Sequence, residues 1–212
     1  MSVLAAVMGY LIGSLPMGYI FVRIFRRQDI TQIGSGRTGG TNAMRAGGIW
    51  IGMLTALSDL LKGFLSVEIA RRLAPGLVWI HILAGFFAVL GHNWSIWLYL
   101  LTRKLSAGAG TGPNIGAAMA FYPGVILISV PLILLFVFVV GYASLASLAA
   151  ALALVIIFAY RAIWAGAPWE YIIYGLMTFI LVSWALRPNI QRLLQGTERR
   201  VGIFAPKNPQ NP

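Results

Sequence analysis

Long apolar runs, each close to the length that crosses a bilayer, restrict the fold of this sequence more than any other feature. Six such runs cover residues 3–25, 49–73, 77–101, 125–140, 142–163 and 171–186. A helix needs about 20 residues to cross about 30 Å of hydrocarbon. The runs also lack the strict polar and apolar alternation of a membrane barrel. The sequence therefore predicts an all-α integral membrane protein.

A shorter apolar stretch, residues 113–122, begins with a proline and predicts a further, short span. The distribution of basic residues decides whether this stretch is counted as a span, because cytoplasmic loops of membrane proteins are enriched in Lys and Arg. One predicted side holds twelve of them: Arg23, Arg26, Arg27, Arg37, Arg45, Arg103, Lys104, Arg187, Arg192, Arg199, Arg200 and Lys207. The other side holds Arg71, Arg72 and Arg161. This bias predicts an odd number of spans, hence a seven-transmembrane-helix bundle with its N-terminus outside and its C-terminus in the cytoplasm.

Composition excludes several classes of protein. Only 10% of residues are charged, whereas soluble domains carry about 25%. The net charge of +11 fits basic cytoplasmic loops, so we expect no nucleic-acid partner. The chain has no cysteine and two distant histidines, so we expect neither thiol catalysis nor a metal site. We expect one membrane domain over residues 1–200 and a disordered, proline-containing tail over residues 201–212.

A glycine-rich, basic loop between the first two runs carries the strongest functional signal. It reads IGSGRTGGTNAMR at residues 33–45. Its glycines let main-chain N–H groups converge on one centre, and its polar side chains add donors and charge. This chemistry suits a phosphate or an acyl phosphate, although a plain flexible connector is the alternative. The candidate binding residues in this loop are Gly34, Ser35, Gly36, Thr41, Asn42 and Arg45.

A second loop, RKLSAGAGTGPN at residues 103–114, repeats this chemistry on the same predicted side. Gly108, Gly110 and Thr111 can form an anion-binding turn ahead of the short span. Such a sequence alone also describes many ordinary bends. Beside the first loop, it predicts the second half of one binding site.

Polar residues inside predicted spans are costly and therefore functional candidates, and four of them are singled out here. Asp59 and Lys62 are three residues apart on one helix face, so they can pair. This pair fits a structural ion pair and a ligand role equally well. His92 and Asn93 follow a glycine near the cytoplasmic end of the third run. They too fit either a satisfied core group or a binding group.

Five motifs, in order along most of the chain, resemble those of the PlsY family of bacterial membrane acyltransferases. They are GSLPMGY at residues 13–19, the loop at 33–45, DLLKG at 59–63, GHN at 91–93 and NIQRLLQGTE at 189–198. The resemblance implies a seven-span enzyme of the bacterial inner membrane with glycine-rich cytoplasmic loops. It also implies acyl transfer from acyl phosphate to the 1-hydroxyl of glycerol 3-phosphate, giving lysophosphatidate and phosphate. The implied partners are these two substrates and membrane lipid, with no cofactor and no metal.

The resemblance also implies a role for each matching residue. Those expected to cradle the acyl phosphate are Ser35, Gly36, Thr41 and Asn42. Those expected to grip phosphate groups are Arg45 and Lys104, while His92 and Asn93 shape the pocket and Asn189 contacts the acceptor. Ser35 and Arg45 are expected to be essential. No general base is implied, because a phosphate oxygen of the donor takes the hydroxyl proton.

The sequence departs from the family pattern in three places. The loop at residues 101–111 is altered, so that either Lys104 or, with about three inserted residues, Thr111 matches the family. Leu186 stands where the family has a histidine, and Arg37 and Thr38 replace a commonly neutral pair. These departures keep two alternatives open: another phosphate-bearing alcohol as acceptor, and a non-catalytic membrane binder of phosphate-bearing ligands. The paired glycine loops and the intramembrane Asp59 and Lys62 leave a third, a small anion transporter.

Overall fold

The computed structural model describes residues 1–202, and this part of the chain is built from helices with no named strand. The α-helices are α1 Ser2–Gly13, α2 Met17–Arg26, α3 Gly40–Gly47, α4 Ile49–Leu73, α5 Val78–Asn93, α6 Ile96–Thr102, α7 Thr111–Phe121, α8 Ile126–Leu135, α9 Ala143–Trp164, α10 Glu170–Ala185 and α11 Arg187–Leu194. Short 3-10 turns cover Ile30–Gln32 and Pro123–Val125, and a π-helical turn, Phe136–Val140, extends α8.

Four helical stretches within the described residues are long and apolar enough to cross a membrane: Ser2–Arg26, Ile49–Leu73, Pro123–Val140 and Ala143–Trp164. The pair of α10 and α11, bent by 64°, makes a fifth. The chain is therefore an all-helical, multi-pass membrane protein. α5, with 16 residues, and α7, with 11, are shorter, so length and composition alone do not reach the predicted seven spans.

Two of the predicted spans are broken, which corrects their expected continuity. The first run divides at Ser14, and α2 begins after Pro16, whose ring nitrogen has no hydrogen to donate to a continuous helix. The third run ends as a helix at Asn93. There Ser95 caps α6 by accepting from the Leu98 N–H at 2.9 Å and donates its hydroxyl proton to the Ser14 carbonyl. The two breaks are thus joined by one hydrogen bond.

Small residues bring the membrane helices into close contact, as is common in bilayers. Gly9 and Gly13 of α1 lie against the main chain of Ala84 and Ala88 of α5, and a Cβ at either glycine would overlap it. The result is a tightly packed α1–α5 pair.

α7 is the buried centre of the bundle. Gly63 of α4 lies against the main chain of Pro113, and Gly116 lies against the Leu60 carbonyl. Most residues of α7 are buried among α4, α5, α9 and α10. Its first turn therefore enters the bundle at the depth of the middle of α4.

Both glycine-rich loops and the residues around Gly141 and Val201 lie at one end of the bundle, here named the loop end. The main-chain N–H of Thr38, from the first loop, donates to the Ala107 carbonyl of the second loop at 2.6 Å. The Val201 N–H donates to the Gly141 carbonyl at 2.9 Å. Val201 falls in the segment expected to be disordered, but it is buried. Residues 203–212 of that predicted tail lie outside the described residues.

Arginines hold the opposite end together. Arg71 pairs with Glu68 and also donates to the Ala120 carbonyl near the end of α7. The guanidinium of Arg161 lies 3.7 Å from the centroid of the Tyr122 ring. The far ends of α4, α7 and α9 therefore lie at one level.

Candidate active site

A cavity of about 370 Å³ opens at the loop end and joins a polar wall to an apolar one. Both glycine-rich loops, the middle of α4, the end of α5 and the C-terminal residues form the polar wall. Its charged and hydrogen-bonding side chains are Ser35, Arg37, Thr41, Asn42, Arg45, Asp59, His92, Thr111, Ser144, Ser147, Asn189, Arg192, Glu198 and Arg199. The cavity is thus assembled from segments spread over most of the sequence.

Asn42 holds the first loop in shape. Its amide nitrogen donates to the carbonyls of Ile33 at 2.9 Å and Arg37 at 2.8 Å, and more weakly to that of Ile30 at 3.3 Å. Its amide oxygen accepts from the Ser35 N–H at 3.1 Å. The loop is therefore an internally bonded turn rather than an open connector. Because its amide is so engaged, Asn42 shapes the cradle more than it binds a ligand.

Two glycines give the first loop its curvature. Gly34 has φ +55° and Gly36 has φ +71°, in the left-handed region that favours glycine. Neither lines the cavity; they turn the chain so that Ser35 does. Thr41 lies at the N-terminus of α3, which also faces the cavity, so the positive end of the helix dipole is directed at it.

The second loop is clamped between α5 and the first loop. The Ala107 N–H donates to the Asn93 carbonyl at 3.0 Å, and the Ala107 carbonyl also accepts from the Thr38 hydroxyl at 3.0 Å. A Cβ at Gly108 would overlap Nε2 of His92. Gly110, at φ +86°, packs over the Asn93 side chain. Asn93 supports this loop from below and does not line the cavity.

Asp59 and Lys62 form the predicted ion pair. The distance from Lys62 Nζ to Asp59 Oδ1 is 2.9 Å, and Nζ also donates to the Leu15 carbonyl at 2.9 Å, at the break between α1 and α2. His92 Nδ1 lies 3.5 Å from the same carboxylate oxygen. Asp59 and His92 line the cavity, whereas Lys62 lies behind them. Lys62 is therefore engaged with Asp59 and with the break between α1 and α2 rather than facing the cavity.

Residues 195–202, here named the C-terminal strap, fold back over the cavity. Glu198 accepts from the Asn189 amide at 2.6 Å, from the Arg192 Nε–H at 2.8 Å and from the Ser144 hydroxyl at 3.0 Å. The guanidinium of Arg199 donates to the Gly34 carbonyl. The strap thus ties α9, α11 and the first loop together.

Positive charge is in excess in the cavity. Glu198 is paired with Arg192, and Asp59 with Lys62. Arg37, Arg45 and Arg199 have no carboxylate within 4.0 Å among the described residues. The site therefore suits anions carrying more than one negative charge.

Burial lowers the pKa of both Arg37 and Arg45. Neighbouring arginines lower each pKa further, Arg192 for Arg37 and Arg199 for Arg45, while Glu198 raises both. Both guanidinium groups nevertheless stay charged at neutral pH, because the ordinary arginine pKa is so high. An anion that enters the cavity would relieve the repulsion between these groups.

The apolar wall extends from the polar one along α8 and α9. It is formed by Val130, Ile133 and Leu134 of α8, Val137 of the π-helical turn, and Ala143 and Ala146 of α9. The Pro123–Val140 span is only 11% buried inside the protein, so its outer side faces lipid. A substrate with a long hydrocarbon chain can place its polar head among the loops and its tail along this wall.

The structure brings together nine of the residues proposed from sequence, and they line one cavity: Ser35, Thr41, Asn42, Arg45, His92, Gly108, Gly110, Thr111 and Asn189. Five others do not line it: Gly34, Gly36, Lys62, Asn93 and Lys104. Lys104 differs most from expectation, since its Nζ donates to the hydroxyl and carbonyl of Thr31 at 3.1 and 3.3 Å. Thr111 thus lines the cavity, whereas Lys104 is bonded to Thr31 outside it.

Sequence reasoning did not assign Ser144, Ser147, Arg192, Glu198 or Arg199 to the site. It singled out Asp59 as a candidate for an ion pair or a ligand role, and Arg37 as a departure from the family pattern, without placing either in the site. Glu198 had a usable signal, because it is the one acidic residue among the basic residues of the C-terminal region. Ser144 and Ser147 had none, since hydroxyls inside membrane helices commonly bond their own helix, as Ser147 does to the Ala143 carbonyl at 2.9 Å.

Comparison with known proteins gives one consistent family. The sequence model described as glycerol-3-phosphate acyltransferase matches residues 3–196. A relative from Moorella thermoacetica named glycerol-3-phosphate acyltransferase 2 is 37% identical over 203 residues, covering 95% of this chain and 98% of the relative. One from Halalkalibacterium halodurans named glycerol-3-phosphate acyltransferase is 34% identical over 194 residues, covering 91% and 92%.

Two crystal structures are similar to the whole fold. Both are of PlsY (YgiH), described as an integral membrane glycerol 3-phosphate acyltransferase. Its glycerol 3-phosphate form has a TM-score of 0.81 and 31% identity, with 95% of this chain and 96% of that one covered. Its lysophosphatidic acid form has a TM-score of 0.79 and 30% identity, with 95% of both chains covered.

Proposed function

The chain belongs to the glycerol-3-phosphate acyltransferase family, and we propose that it transfers an acyl group from acyl phosphate to the 1-hydroxyl of glycerol 3-phosphate. In this reaction the hydroxyl oxygen attacks the acyl carbon, and the bond from that carbon to the phosphate oxygen breaks. The hydroxyl proton goes to a phosphate oxygen of the leaving group. The products are lysophosphatidate and inorganic phosphate.

One observation carries the proposal: a single cavity joins a cationic, donor-rich wall to an apolar wall that continues along lipid-facing α8. Acyl phosphate has this same division between a charged head and a hydrocarbon tail. A site for soluble phosphate esters alone would need no apolar wall. A site for lipids alone would need no excess of three cationic side chains.

The first loop is assigned to the phosphate of the donor. Ser35 offers its hydroxyl, the N-terminus of α3 at Thr41 offers main-chain donors, and Arg45 adds a guanidinium. Together they hold a phosphate beside the acyl carbon and stabilise negative charge as the transfer proceeds. Ser35 and Arg45 are accordingly the residues on which transfer depends most.

The cavity favours proton transfer within the substrates. Glu198 already accepts from three side chains, and Asp59 is paired with Lys62. His92 has one ring nitrogen toward Asp59 and the other against Gly108. His92 is therefore assigned to positioning of the second loop, and a donor phosphate oxygen accepts the proton.

The acceptor is placed on the side of α11. Asn189 lines the cavity there, and its amide nitrogen is held by Glu198 at 2.6 Å. Its Oδ1 is buried and has no partner among the described residues. That oxygen can accept a hydrogen bond from a hydroxyl of glycerol 3-phosphate.

We assign the chain seven crossings of the bacterial inner membrane, as one domain over residues 1–200, with the N-terminus outside and the C-terminus in the cytoplasm. The positions of the loops support this count. The second loop and Gly141 both lie at the loop end, while Tyr122 lies at the opposite end beside Arg161. The chain therefore runs across the bundle and back between residues 111 and 141, which makes α7 the short fourth crossing.

A different phosphate-bearing alcohol as acceptor is a second candidate, favoured by Leu186. This residue lines the cavity beside Asn189 and is only 2% exposed. An apolar side chain at this position removes a donor that a more polar acceptor would use. Comparison of glycerol 3-phosphate with other alcohol phosphates as substrates separates the two candidates.

The test uses purified protein in nanodiscs with palmitoyl phosphate and glycerol 3-phosphate, and mass spectrometry detects lysophosphatidate. A matched reaction contains palmitoyl coenzyme A in place of palmitoyl phosphate, and the Moorella thermoacetica relative is the positive control. We expect lysophosphatidate from palmitoyl phosphate and none from the coenzyme A ester. No product from this chain, with product from the relative, would contradict the proposal.

A further inference from the structure

Arg37 crosses from the first loop to the junction of α10 and α11. Its Nη2 donates to the Ala185 carbonyl at 2.7 Å, at the C-terminal end of α10, where the helix dipole is negative. Its own carbonyl accepts from the Asn42 amide at 2.8 Å. Arg37 is thus held at its main chain by Asn42 and at its guanidinium by Ala185, and it lines the cavity.

The guanidinium of Arg37 has donors to spare. A guanidinium has five N–H groups in a planar fork, and one of them is used, by Ala185, among the described residues. No carboxylate lies within 4.0 Å of it there, and the nearby acid Glu198 is already paired with Arg192. Arg37 therefore brings into the cavity a positive charge that no carboxylate neutralises, together with guanidinium N–H groups that are free to donate.

The surroundings of Arg37 define a second anion position. Leu186, the next residue after Ala185, is buried against Val89 and Val182 and offers no donor. Arg45 and Arg199 lie instead at the Gly34 turn, where Arg199 donates to the Gly34 carbonyl. The free cations are thus divided between the Gly34 turn and the end of α10.

We propose that Arg37 binds the phosphate of the acceptor and so makes the enzyme select a phosphate-bearing alcohol. This inference rests on the proposed function. The division of charge suits a reaction that brings two phosphate groups into one cavity, the donor's at the Gly34 turn and the acceptor's at the α10–α11 junction. Asn189, one turn into α11, then receives the acceptor hydroxyl beside the same phosphate.

Arg37→Gln removes the charge and shortens the side chain, whereas Arg37→Lys keeps the charge near its original position, so the two variants together separate the effect of the charge from that of the bond to Ala185. We expect Arg37→Gln to raise KM for glycerol 3-phosphate by roughly 10- to 100-fold, the range for loss of a charge-assisted hydrogen bond. KM for palmitoyl phosphate should change less than about 2-fold, within the small range expected where no contact is lost. Arg37→Lys, which keeps the charge without the fork, should fall between Arg37→Gln and the unmodified chain.

Arg187→Gln is the matched control. Arg187 begins α11, lies 3.5 Å from the centroid of the Trp184 ring and does not line the cavity. The Arg187→Gln variant should leave the KM values for glycerol 3-phosphate and for palmitoyl phosphate unchanged. Equal increases of both KM values in Arg37→Gln, with no recovery in Arg37→Lys, would overturn the inference and assign Arg37 a structural role.

Binding of glycerol 3-phosphate without turnover separates this inference from the proposed function. Calorimetry on the unmodified protein and on the Arg37→Gln and Arg187→Gln variants measures it directly. We expect binding to be weakened in Arg37→Gln alone, even if no lysophosphatidate forms in any sample. Unweakened binding in Arg37→Gln would overturn the inference, whereas absence of turnover with binding retained would overturn only the proposed reaction.

Discussion

Single residues in this site divide into those that can meet a ligand and those that hold them in place. Asn42 shows the distinction, because the sequence predicts it as part of the phosphate cradle and the structure places it in the cavity wall. Its amide nevertheless contacts four main-chain groups of the first loop. The sequence pointed to this residue, but only the fold distinguishes a side chain that is free to bind a ligand from one that holds the loop in shape.

Arg45 gives the clearest prediction at the scale of residues. Arg45→Ala should lower kcat/KM for acyl transfer by about 100-fold, since hydrogen bonds to charged groups contribute about 1.5–3 kcal/mol each. Ser35→Ala should act in the same direction. Both variants should keep the thermal stability of the parent, because neither side chain donates to the core.

Arg103→Ala is the control for these two variants. Arg103 ends α6, lies 5.7 Å from the centroid of the Tyr99 ring and is outside the cavity. The Arg103→Ala variant should transfer acyl groups at the rate of the unmodified chain. Unchanged transfer in Arg45→Ala and Ser35→Ala would show that the first loop is only a connector.

The C-terminal strap is the element whose role was least visible in the sequence. The preceding helix α11 ends at Leu194, and the residues of the strap turn back to the cavity. The strap is held by Glu198 through partners from α9 and α11 that are more than 40 residues apart in sequence. No local sequence pattern predicts contacts between residues so far apart in the sequence.

Glu198→Ala should raise KM for glycerol 3-phosphate by about 10-fold, because Asn189 and Arg192 lose the acceptor that orients them. The free energy of unfolding should fall by about 1–3 kcal/mol, the cost of unsatisfied buried donors. Glu198→Gln keeps an acceptor oxygen and should have a smaller effect. Steady-state kinetics measure the change in KM, and thermal melting measures the change in stability. Glu170→Ala, at the far end of α10, is the control. Equal KM and equal stability in Glu198→Ala, Glu198→Gln and Glu170→Ala would contradict the role of Glu198 in orienting Asn189 and Arg192.

Helix packing in this bundle depends on glycines rather than on large side chains. Gly13→Val should destabilise the protein by about 1–3 kcal/mol, because the added atoms overlap the main chain of Ala88. Leu4→Val, on the exposed side of α1, should change stability by less than about 0.5 kcal/mol. Thermal unfolding in detergent compares the two, and equal midpoints would contradict the close α1–α5 contact.

Most helices were predictable from hydropathy, and the breaks within them were not. α4, α9 and α10 begin and end within a residue or two of the apolar runs. The run that became α5 and α6 carries polar residues at its break, where the Ser95 hydroxyl donates to the Ser14 carbonyl, a contact across 81 residues. Apolar composition reports the environment of a segment, but not where it bends.

At the scale of the whole molecule, the site exists because distant segments meet at one end of the bundle. The sequence predicted that both glycine-rich loops share a face, and in the structure Thr38 of the first loop is hydrogen-bonded to Ala107 of the second. The surplus of arginines in the loops was used to predict the orientation of the protein in the membrane. The structure adds that four of them, from positions 37, 45, 192 and 199, lie in the cavity.

The absence of cysteine makes the topology testable with single introduced thiols. Ser2→Cys and Ala165→Cys should react with a membrane-impermeant maleimide in intact cells, since both are exposed and are assigned to the outside. Gln195→Cys, in the C-terminal strap, should react only after the membrane is permeabilised. Labelling of Ser2→Cys and Gln195→Cys from the same side would show an even number of crossings.

The most direct test of the central claim is the release of inorganic phosphate from palmitoyl phosphate, measured with and without glycerol 3-phosphate. The account predicts release that depends on glycerol 3-phosphate, equals the lysophosphatidate formed mole for mole, and is lost in Arg45→Ala. That result would also show that Leu186 in the cavity wall is compatible with catalysis. Release at the same rate without glycerol 3-phosphate, or no release from either mixture, would contradict the account.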